Sequence, residues 1–340
     1  MINLNYIILL IKILFFEYIL LILHELTHFI TSLFLKLKCS YIYIIPFKIY
    51  KNKNKIKITF VKFYKHNITS ELHFNSINIT NKESYNNLIK KLRIFLFSGP
   101  IFDFIIFTIL FLIGIIYVQY SYFAIIALLH FGISTINFFN SDGKYAIGAK
   151  EDKRIAFDLV RNFTLCANGY VNPASKEFLT KIHKKISNEI DYKEFDVNNL
   201  WDFLNNTSFY TNSILSYFNN DLYEIDQNFI KFSEILIRDF DKIIELDYRQ
   251  EKKTSLLIAY YLIYNKLNKL NYSYDKELYK KIYIGVNSAY YQALLKLYFD
   301  KKDKKTIEYL KDEKNMPLEY NFKQGYSKLL FNLINLHKNI

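Results

Sequence analysis

The amino-acid sequence predicts a mostly α-helical protein. It has a polytopic membrane core of about three transmembrane helices with an inserted β-hairpin, and an all-helical soluble domain follows. Three apolar segments, at about residues 7–35, 92–118 and 122–140, are close to or longer than the roughly 20 residues that cross a bilayer. Between the first two, residues 41–63 alternate β-branched or aromatic residues with lysines, which is typical of strands.

The second half of the chain has a different pattern. Beyond Lys150 no apolar run is long enough to span a membrane, and charged and apolar residues alternate at helical spacing. No fixed repeat length is evident there. The sequence therefore predicts a membrane core at residues 1–150 and a cytoplasmic helical domain at residues 151–340. The many tyrosines of the helical domain are expected in its core.

The charge distribution predicts the orientation. The net charge is +13, but no nucleic-acid-binding motif accompanies it, so no nucleic-acid partner is expected. Lysines follow the first apolar segment, and Lys144, Lys150 and Lys153 follow the third. Cytoplasmic loops carry the excess of basic residues. We therefore expect a multi-pass protein of the cell membrane, in contact with the lipid bilayer, whose N-terminus lies outside.

A His-Glu-Leu-Thr-His run, residues 24–28, lies inside the first apolar segment. On a helix, His24 and His28 are one turn apart on the same face, where both imidazoles reach a single ion. Glu25 is close enough to hold a water as general base. Ionisable residues in a membrane helix are costly to bury and usually functional, so the run predicts a zinc site.

A zinc site of this kind needs a third protein ligand, and Asp103, His130 and Asp142 are the candidates. With a rise of about 1.5 Å per residue, His28 lies on the order of 12 Å inside the cytoplasmic face. Asp142 ends the third segment on this cytoplasmic side. His130, roughly 18 Å from Asp142, is expected to be a bystander. Asp142 is favoured because Gly143 lets the chain leave the helix. Asp103 is either an interhelical hydrogen-bonding residue or part of the active site.

Together these residues resemble the site-2 protease family of intramembrane zinc metalloproteases. The matching marks are the run at residues 24–28 in a first helix, Ser98-Gly99-Pro100 opening a second and Asp142-Gly143 closing a third. They lie within about residues 1–150. The resemblance implies zinc ligands at His24, His28 and Asp142, with Glu25 as the catalytic acid/base.

The sequence departs from the family pattern on the substrate side. The family usually shows an asparagine three residues after Gly-Pro, where this chain has Asp103, and the approach to Asp142 contains no proline. Under the resemblance, Asn137 or Asn140 takes the place of a family asparagine beside the substrate. Asp103, Asn137 and Asn140 are therefore the candidate substrate-binding residues.

The leading hypothesis is an intramembrane zinc metalloendopeptidase that cleaves a membrane-embedded or membrane-adjacent peptide near the cytoplasmic face. A peptide precursor, a remnant signal peptide and a tethered regulator all remain open as substrates. The helical domain would recruit substrate or a protein partner, and the edge of the hairpin would pair with an unwound substrate strand. The alternatives are a catalytically silent membrane scaffold that binds partners through the helical domain, and a small transporter, which three spans without an inverted repeat disfavour.

Overall fold

The computed structural model describes most of the chain. The described residues are 4–37, 39–44, 47–52, 55–60, 70–74, 77–140, 142–164, 171, 173–190, 200–222, 224–270, 276–300, 304–312, 315 and 332–337. Contacts divide the chain into two compact units. The first comprises Met1–Asn75 and Lys82–Leu159, and the second comprises Ser76–Asn81 and Val160–Ile340.

The first unit is built on long helices. They are α1 (Leu4–Phe34), α2 (Lys82–Ile116), α3 (Tyr122–Asn140), α4 (Asp142–Glu151) and α5 (Lys153–Thr164), which continues into the second unit. At the end of α1, Lys36 adopts a positive φ of 56°, and the N–H of Leu37 donates to the carbonyl of Ser32. This left-handed ending closes the helix where the sequence turns from apolar to lysine-rich.

Two helices of the first unit are long and apolar enough to cross a membrane, over Ile7–Phe34 and Lys82–Ile116. Their apolar side chains point outward: Leu14, Phe104 and Ile116 are each at least 60% exposed. Exposed apolar surface on this scale is accommodated by lipid. The prediction of long apolar helices is confirmed for these two. The 19-residue α3 is also apolar, but its role as a third span stays a prediction.

The second of these helices begins earlier than its apolar segment. It starts at Lys82 rather than near Leu92, because Tyr85, Leu88 and Leu92 form a buried stripe at helical spacing along its polar first turns. Pro100 lies inside the helix and does not end it.

The segment after α1 forms a sheet rather than a single hairpin. Strands β1 (Cys39–Ile44), β2 (Phe47–Asn52), β3 (Lys55–Phe60) and β4 (Ser70–Phe74) are antiparallel in the order β3-β2-β1-β4. Asn52 pairs with Lys55, so β2 and β3 form a hairpin within residues 41–63. A single hairpin does not describe this segment, because β1 and β2 also pair with each other, on either side of Ile45-Pro46, and a proline cannot donate to a ladder. Residues 61–63 lie outside the described part.

One face of the sheet packs on α1. Ile42 and Ile44 of β1 are buried against Phe29, and Leu26 and Ile49 pack around them. Phe29 directly follows His28, so the sheet contacts the helix turn that carries the predicted metal-binding histidines.

The described regular elements of the second unit are helices, as predicted. They are α6 (Pro173–Asn188), α7 (Leu200–Phe218), α8 (Gln227–Arg238), α9 (Phe240–Leu246), α10 (Glu251–Leu267), α11 (Lys276–Gly285), α12 (Ala289–Phe299) and α13 (Lys304–Lys311). The middle helix, α10, packs against α7, α8, α11 and α12. Tyr260, Tyr261, Tyr290 and Tyr291 are buried, which confirms the prediction that tyrosines lie in the core of this unit.

Candidate metal centre

The two histidines of the His-Glu-Leu-Thr-His run meet at one point. α1 continues through residues 24–28, so His24 and His28 lie one turn apart, and their Nε2 atoms are 3.2 Å from each other. His28 is buried and His24 is partly buried. The four-residue spacing therefore places two imidazole nitrogens close enough to share one ion.

A break between two helices delivers Asp142 to the same point. α3 ends at Asn140 and α4 begins at Asp142, one residue before the glycine that was expected to allow the break. Asp142 Oδ2 lies 3.1 Å from His28 Nε2 and 3.6 Å from His24 Nε2. Within the described residues, these three side chains are the one group whose ligand atoms cluster, all within 4.8 Å of one another.

Two neighbours hold α4 in place. Arg93 of α2 donates from Nε to the carbonyl of Ala146, one helical turn beyond Asp142 (2.8 Å). Gly143 lies directly against the ring of Phe138, where a Cβ would collide with that ring. Both contacts restrict where the carboxylate of Asp142 can lie.

The outer nitrogens of the two imidazoles are both bound to acceptors. His28 Nδ1 donates to the carbonyl of Phe95 (2.8 Å), and His24 Nδ1 donates to Asp103 Oδ2 (2.8 Å). A carbonyl and a carboxylate accept and cannot donate, so each Nδ1 carries a proton. The lone pair of each neutral ring then resides on Nε2. Two imidazole lone pairs and one carboxylate oxygen thus face one another, an arrangement that a bound cation, or a proton on one Nε2, stabilises.

The spacing fits zinc. Ligand atoms about 2.0–2.1 Å from a tetrahedrally coordinated ion lie about 3.3 Å from one another, and the three distances here are 3.1, 3.2 and 3.6 Å. Two histidines and one carboxylate are a common catalytic zinc set, which leaves one position open. The residues present therefore fit the ion.

Gly99 lets α2 approach this site. A Cβ at this position would lie 2.5 Å from His28 Nε2 and 2.6 Å from His24 Nε2. Any side chain would therefore collide with both imidazole rings. The glycine of the Ser98-Gly99-Pro100 run is explained by close backbone approach.

The structure brings some of the predicted site residues together and places others elsewhere. His24, His28 and Asp142 converge, and Asp103 contacts the far side of His24 rather than the point where the three ligand atoms meet. Glu25 is half-buried on the same helix turn as His24. The side chains of Asn137 and Asn140 lie outside the described part.

A buried polar network extends from Asp103. Ser134 Oγ donates to Asp103 Oδ2 (2.7 Å), and His130 Nε2 lies 3.3 Å from Asp103 Oδ1. On its other side, His130 Nδ1 is 3.1 Å from Glu17 Oε2. His130 is outside the cluster of ligand atoms, as predicted, but it contacts Asp103. Sequence reasoning missed Ser134, although it follows His130 by four residues and so shares its helix face.

A His-His-Asp donor set defines a candidate metal centre among apolar helices. The model of Peptidase family M50 matches residues 12–289, and the chain belongs to this family, the site-2 protease family. The resemblance predicted from the motifs is confirmed, and the matched residues extend beyond the first 150. The family consists of intramembrane metalloproteases that in general depend on zinc. The comparisons with curated proteins and with solved structures gave no match.

Proposed function

We propose that this chain is an active intramembrane zinc endopeptidase, in which His24, His28 and Asp142 hold the metal. The observation that carries the proposal is the convergence of two imidazole Nε2 atoms and one carboxylate oxygen at 3.1–3.6 Å. The outer nitrogen of each ring is engaged by an acceptor, so the lone pairs are directed inward. Membership in a metallopeptidase family supports the same assignment.

The chain's own residues supply proton transfer and ligand orientation. A zinc ion in such a site supplies Lewis-acid chemistry, polarising a carbonyl and acidifying a water. Glu25, adjacent to His24 and half-buried, takes the proton from the attacking water and returns it to the nitrogen of the departing amine. Asp103 and the Phe95 carbonyl hold the two rings while this happens.

The substrate in this proposal is a peptide in or beside the membrane, cleaved near the cytoplasmic face. The apolar, outward-facing surfaces of α1 and α2 support a site within lipid. A helical substrate has its backbone amides bonded within the helix, so it must unwind before cleavage. The strand edge of β3 offers hydrogen-bonding partners for an unwound segment.

Further substrate contacts are assigned on the family resemblance. We propose Asn137 or Asn140, which immediately precede the turn to Asp142, as the residue beside the substrate strand. The helical second unit is proposed to recruit substrate or a protein partner. The candidate substrates are a peptide precursor, a remnant signal peptide and a tethered regulator.

Glu25→Gln tests the proposal, because it removes the proton acceptor and leaves the three ligands in place. Cells producing the wild-type chain should show new protein N-termini inside or next to membrane segments, measured by mass spectrometry of N-terminal peptides. These termini should be missing with Glu25→Gln, while the purified variant retains zinc. Glu177→Gln, an exposed glutamate of α6, is the matched control and should behave as wild type.

Two results would contradict the proposal. The first is the same set of new N-termini with Glu25→Gln as with the wild type. The second is no new N-termini with a zinc-loaded wild-type chain, which would favour the silent scaffold.

A further inference from the structure

We propose that Asp103, His130 and Glu17 form a positioning chain behind the metal centre, which holds His24 in the orientation and tautomer that metal binding needs. The inference rests on the metal site of the proposed function and deepens it. It assigns a role to two residues, His130 and Glu17, that lie outside the ligand set. It also gives Asp103 a role on the metal side rather than on the substrate side.

The link to the metal site is the contact between Asp103 and His24. Asp103 is 4% exposed, and its Oδ2 accepts from His24 Nδ1 at 2.8 Å and from Ser134 Oγ at 2.7 Å. An ionised carboxylate has no hydrogen to donate, so the contact keeps the proton of His24 on Nδ1. The Nε2 lone pair then points at His28 Nε2 and Asp142 Oδ2. A carboxylate behind a metal-binding histidine also makes the ring a better ligand.

His130 extends the chain to α3. Its ring is 4% exposed and lies between two carboxylates, with Nδ1 3.1 Å from Glu17 Oε2 and Nε2 3.3 Å from Asp103 Oδ1. The second contact is close but is not aligned as a hydrogen bond, since neither His130 Nε2 nor Asp103 Oδ1 has such a partner among the described residues. His130 therefore acts on Asp103 through close packing rather than through an aligned hydrogen bond.

The chain connects all three long helices. Glu17 and His24 lie on α1, Asp103 on α2 and His130 on α3. Glu17 and His24 are separated by seven residues, so they share a face of α1. The positioning chain therefore starts at one residue of that face, passes through α3 and α2, and ends at another residue of the same face. The position of the His24 ring is thereby tied to the packing of the three helices.

The cost of burial argues for a function beyond helix association. A carboxylate among apolar helices is costly unless it is paired and hydrogen-bonded. An association role would be served by the bond to Ser134 alone. Here the same oxygen of Asp103 that accepts from Ser134 also accepts from a metal-binding imidazole. Partners of this kind change metal affinity by about 10–100-fold when removed.

Zinc affinity of the purified full chain, measured by competition with a chelator, tests the proposal. Asp103→Asn keeps an acceptor for His24 Nδ1 but loses the charge, and it should weaken zinc binding about tenfold. His130→Gln should weaken it by a smaller factor. Cobalt bound in place of zinc should show a changed visible spectrum in both variants, because the ring geometry at the ion changes. Thr108→Val, which removes a hydroxyl that donates to the carbonyl of Phe104 in α2, is the control and should leave both readouts unchanged.

The contrasting outcome is specific. If the residues serve only helix association, Asp103→Asn and His130→Gln will lower thermal stability equally with and without zinc, and zinc affinity and cobalt spectrum will match the wild type. That result overturns the proposal. Should either variant fail to fold, Glu17→Gln, which removes the charge at the far end of the positioning chain, is measured instead, and unchanged zinc affinity and cobalt spectrum in it would overturn the proposal too. A wild-type chain that binds zinc without cleaving would refute the proposed function and leave this inference standing.

Discussion

At the scale of single residues, Gly99 is the position that the metal centre tolerates least. A Cβ there would lie 2.5–2.6 Å from the Nε2 atoms of His28 and His24, so both rings would have to move away from the positions in which their nitrogens converge. Gly99→Ala should therefore abolish zinc binding in a chain that still folds, since alanine favours the helix by about 1 kcal/mol over glycine. Zinc content of the purified variant is the measurement.

Gly132→Ala is the matched control for Gly99→Ala. Gly132 lies in α3, and a Cβ there would meet nothing within 4 Å. This variant should keep its zinc. Equal zinc content in the two variants would contradict the close approach of Gly99 to the two histidines.

The ligands of the candidate centre could be predicted from sequence, and their supporting partners could not. His24 and His28 share a helix face by spacing alone, and Asp142 followed from depth along a helix. The partner of Asp103 depends on how α2 is rotated against α1 and α3, which no spacing within one helix fixes. The depth argument excludes His130 as a ligand because it compares His130 with Asp142, whereas the residue that His130 contacts is Asp103.

At the scale of elements, the edge strand β3 tests the role of the sheet. In the β2–β3 register, Asn52 pairs with Lys55, and Ile58 pairs with Ile49. Hydrogen-bonded and non-hydrogen-bonded pairs alternate along an antiparallel ladder. We expect the pair that flanks the connection to be hydrogen-bonded, so that Ile58 directs its N–H away from β2. Ile58→Pro would then remove an outward donor from the edge.

If an unwound substrate pairs with β3, Ile58→Pro should lower cleavage strongly and leave zinc content unchanged. Ile58 is 64% exposed, so little core packing is lost with its side chain. Ile58→Thr keeps the N–H and a β-branched side chain, and should cleave as the wild type does. Cleavage is compared through the new N-termini that the wild type generates. Full cleavage by Ile58→Pro would exclude pairing at this edge.

The element types were predicted better than their limits. Period-two alternation identified strands after the first helix, but it could not separate β1 from β2, because the same alternation runs through both. The sequence signal that divides them is Pro46, because a proline has no N–H to donate to a ladder. For α2, Tyr85, Leu88 and Leu92 recur at helical spacing, which is a sequence signal for the early start of the helix. The charged and polar residues between them mask this signal in a search for apolar segments.

At the scale of the whole molecule, the basic residues predict which side each unit faces. We expect the N-terminus outside and the helical second unit in the cytoplasm. With Cys39 and Cys166 replaced by serine, a cysteine at Asn3 should react with a thiol reagent that cannot cross the membrane of intact cells. A cysteine in place of the exposed Lys184 should react only after the cells are opened. The opposite labelling pattern would reverse the orientation.

The two units differ in where their apolar side chains lie. The first unit exposes apolar helices and carries the clustered ligands, whereas the second buries an aromatic core around α10. The family match at residues 12–289 spans parts of both. The order of motifs along the chain was enough to find the family, because metal ligands fix residue types at fixed spacings. The packing of the second unit could not be predicted in this way, because no set of ligands was recognised there that fixes residue types at fixed spacings.

The central claim is that His24, His28 and Asp142 bind one zinc ion, and metal analysis of the purified full chain tests it most directly. The wild-type chain should contain one zinc, and Asp142→Ala should contain almost none. Asp241→Ala, which removes a surface carboxylate paired with Lys281, should retain the metal as the control. A wild-type chain that takes up no zinc, or an Asp142→Ala chain that binds it as tightly as the wild type, would contradict the claim.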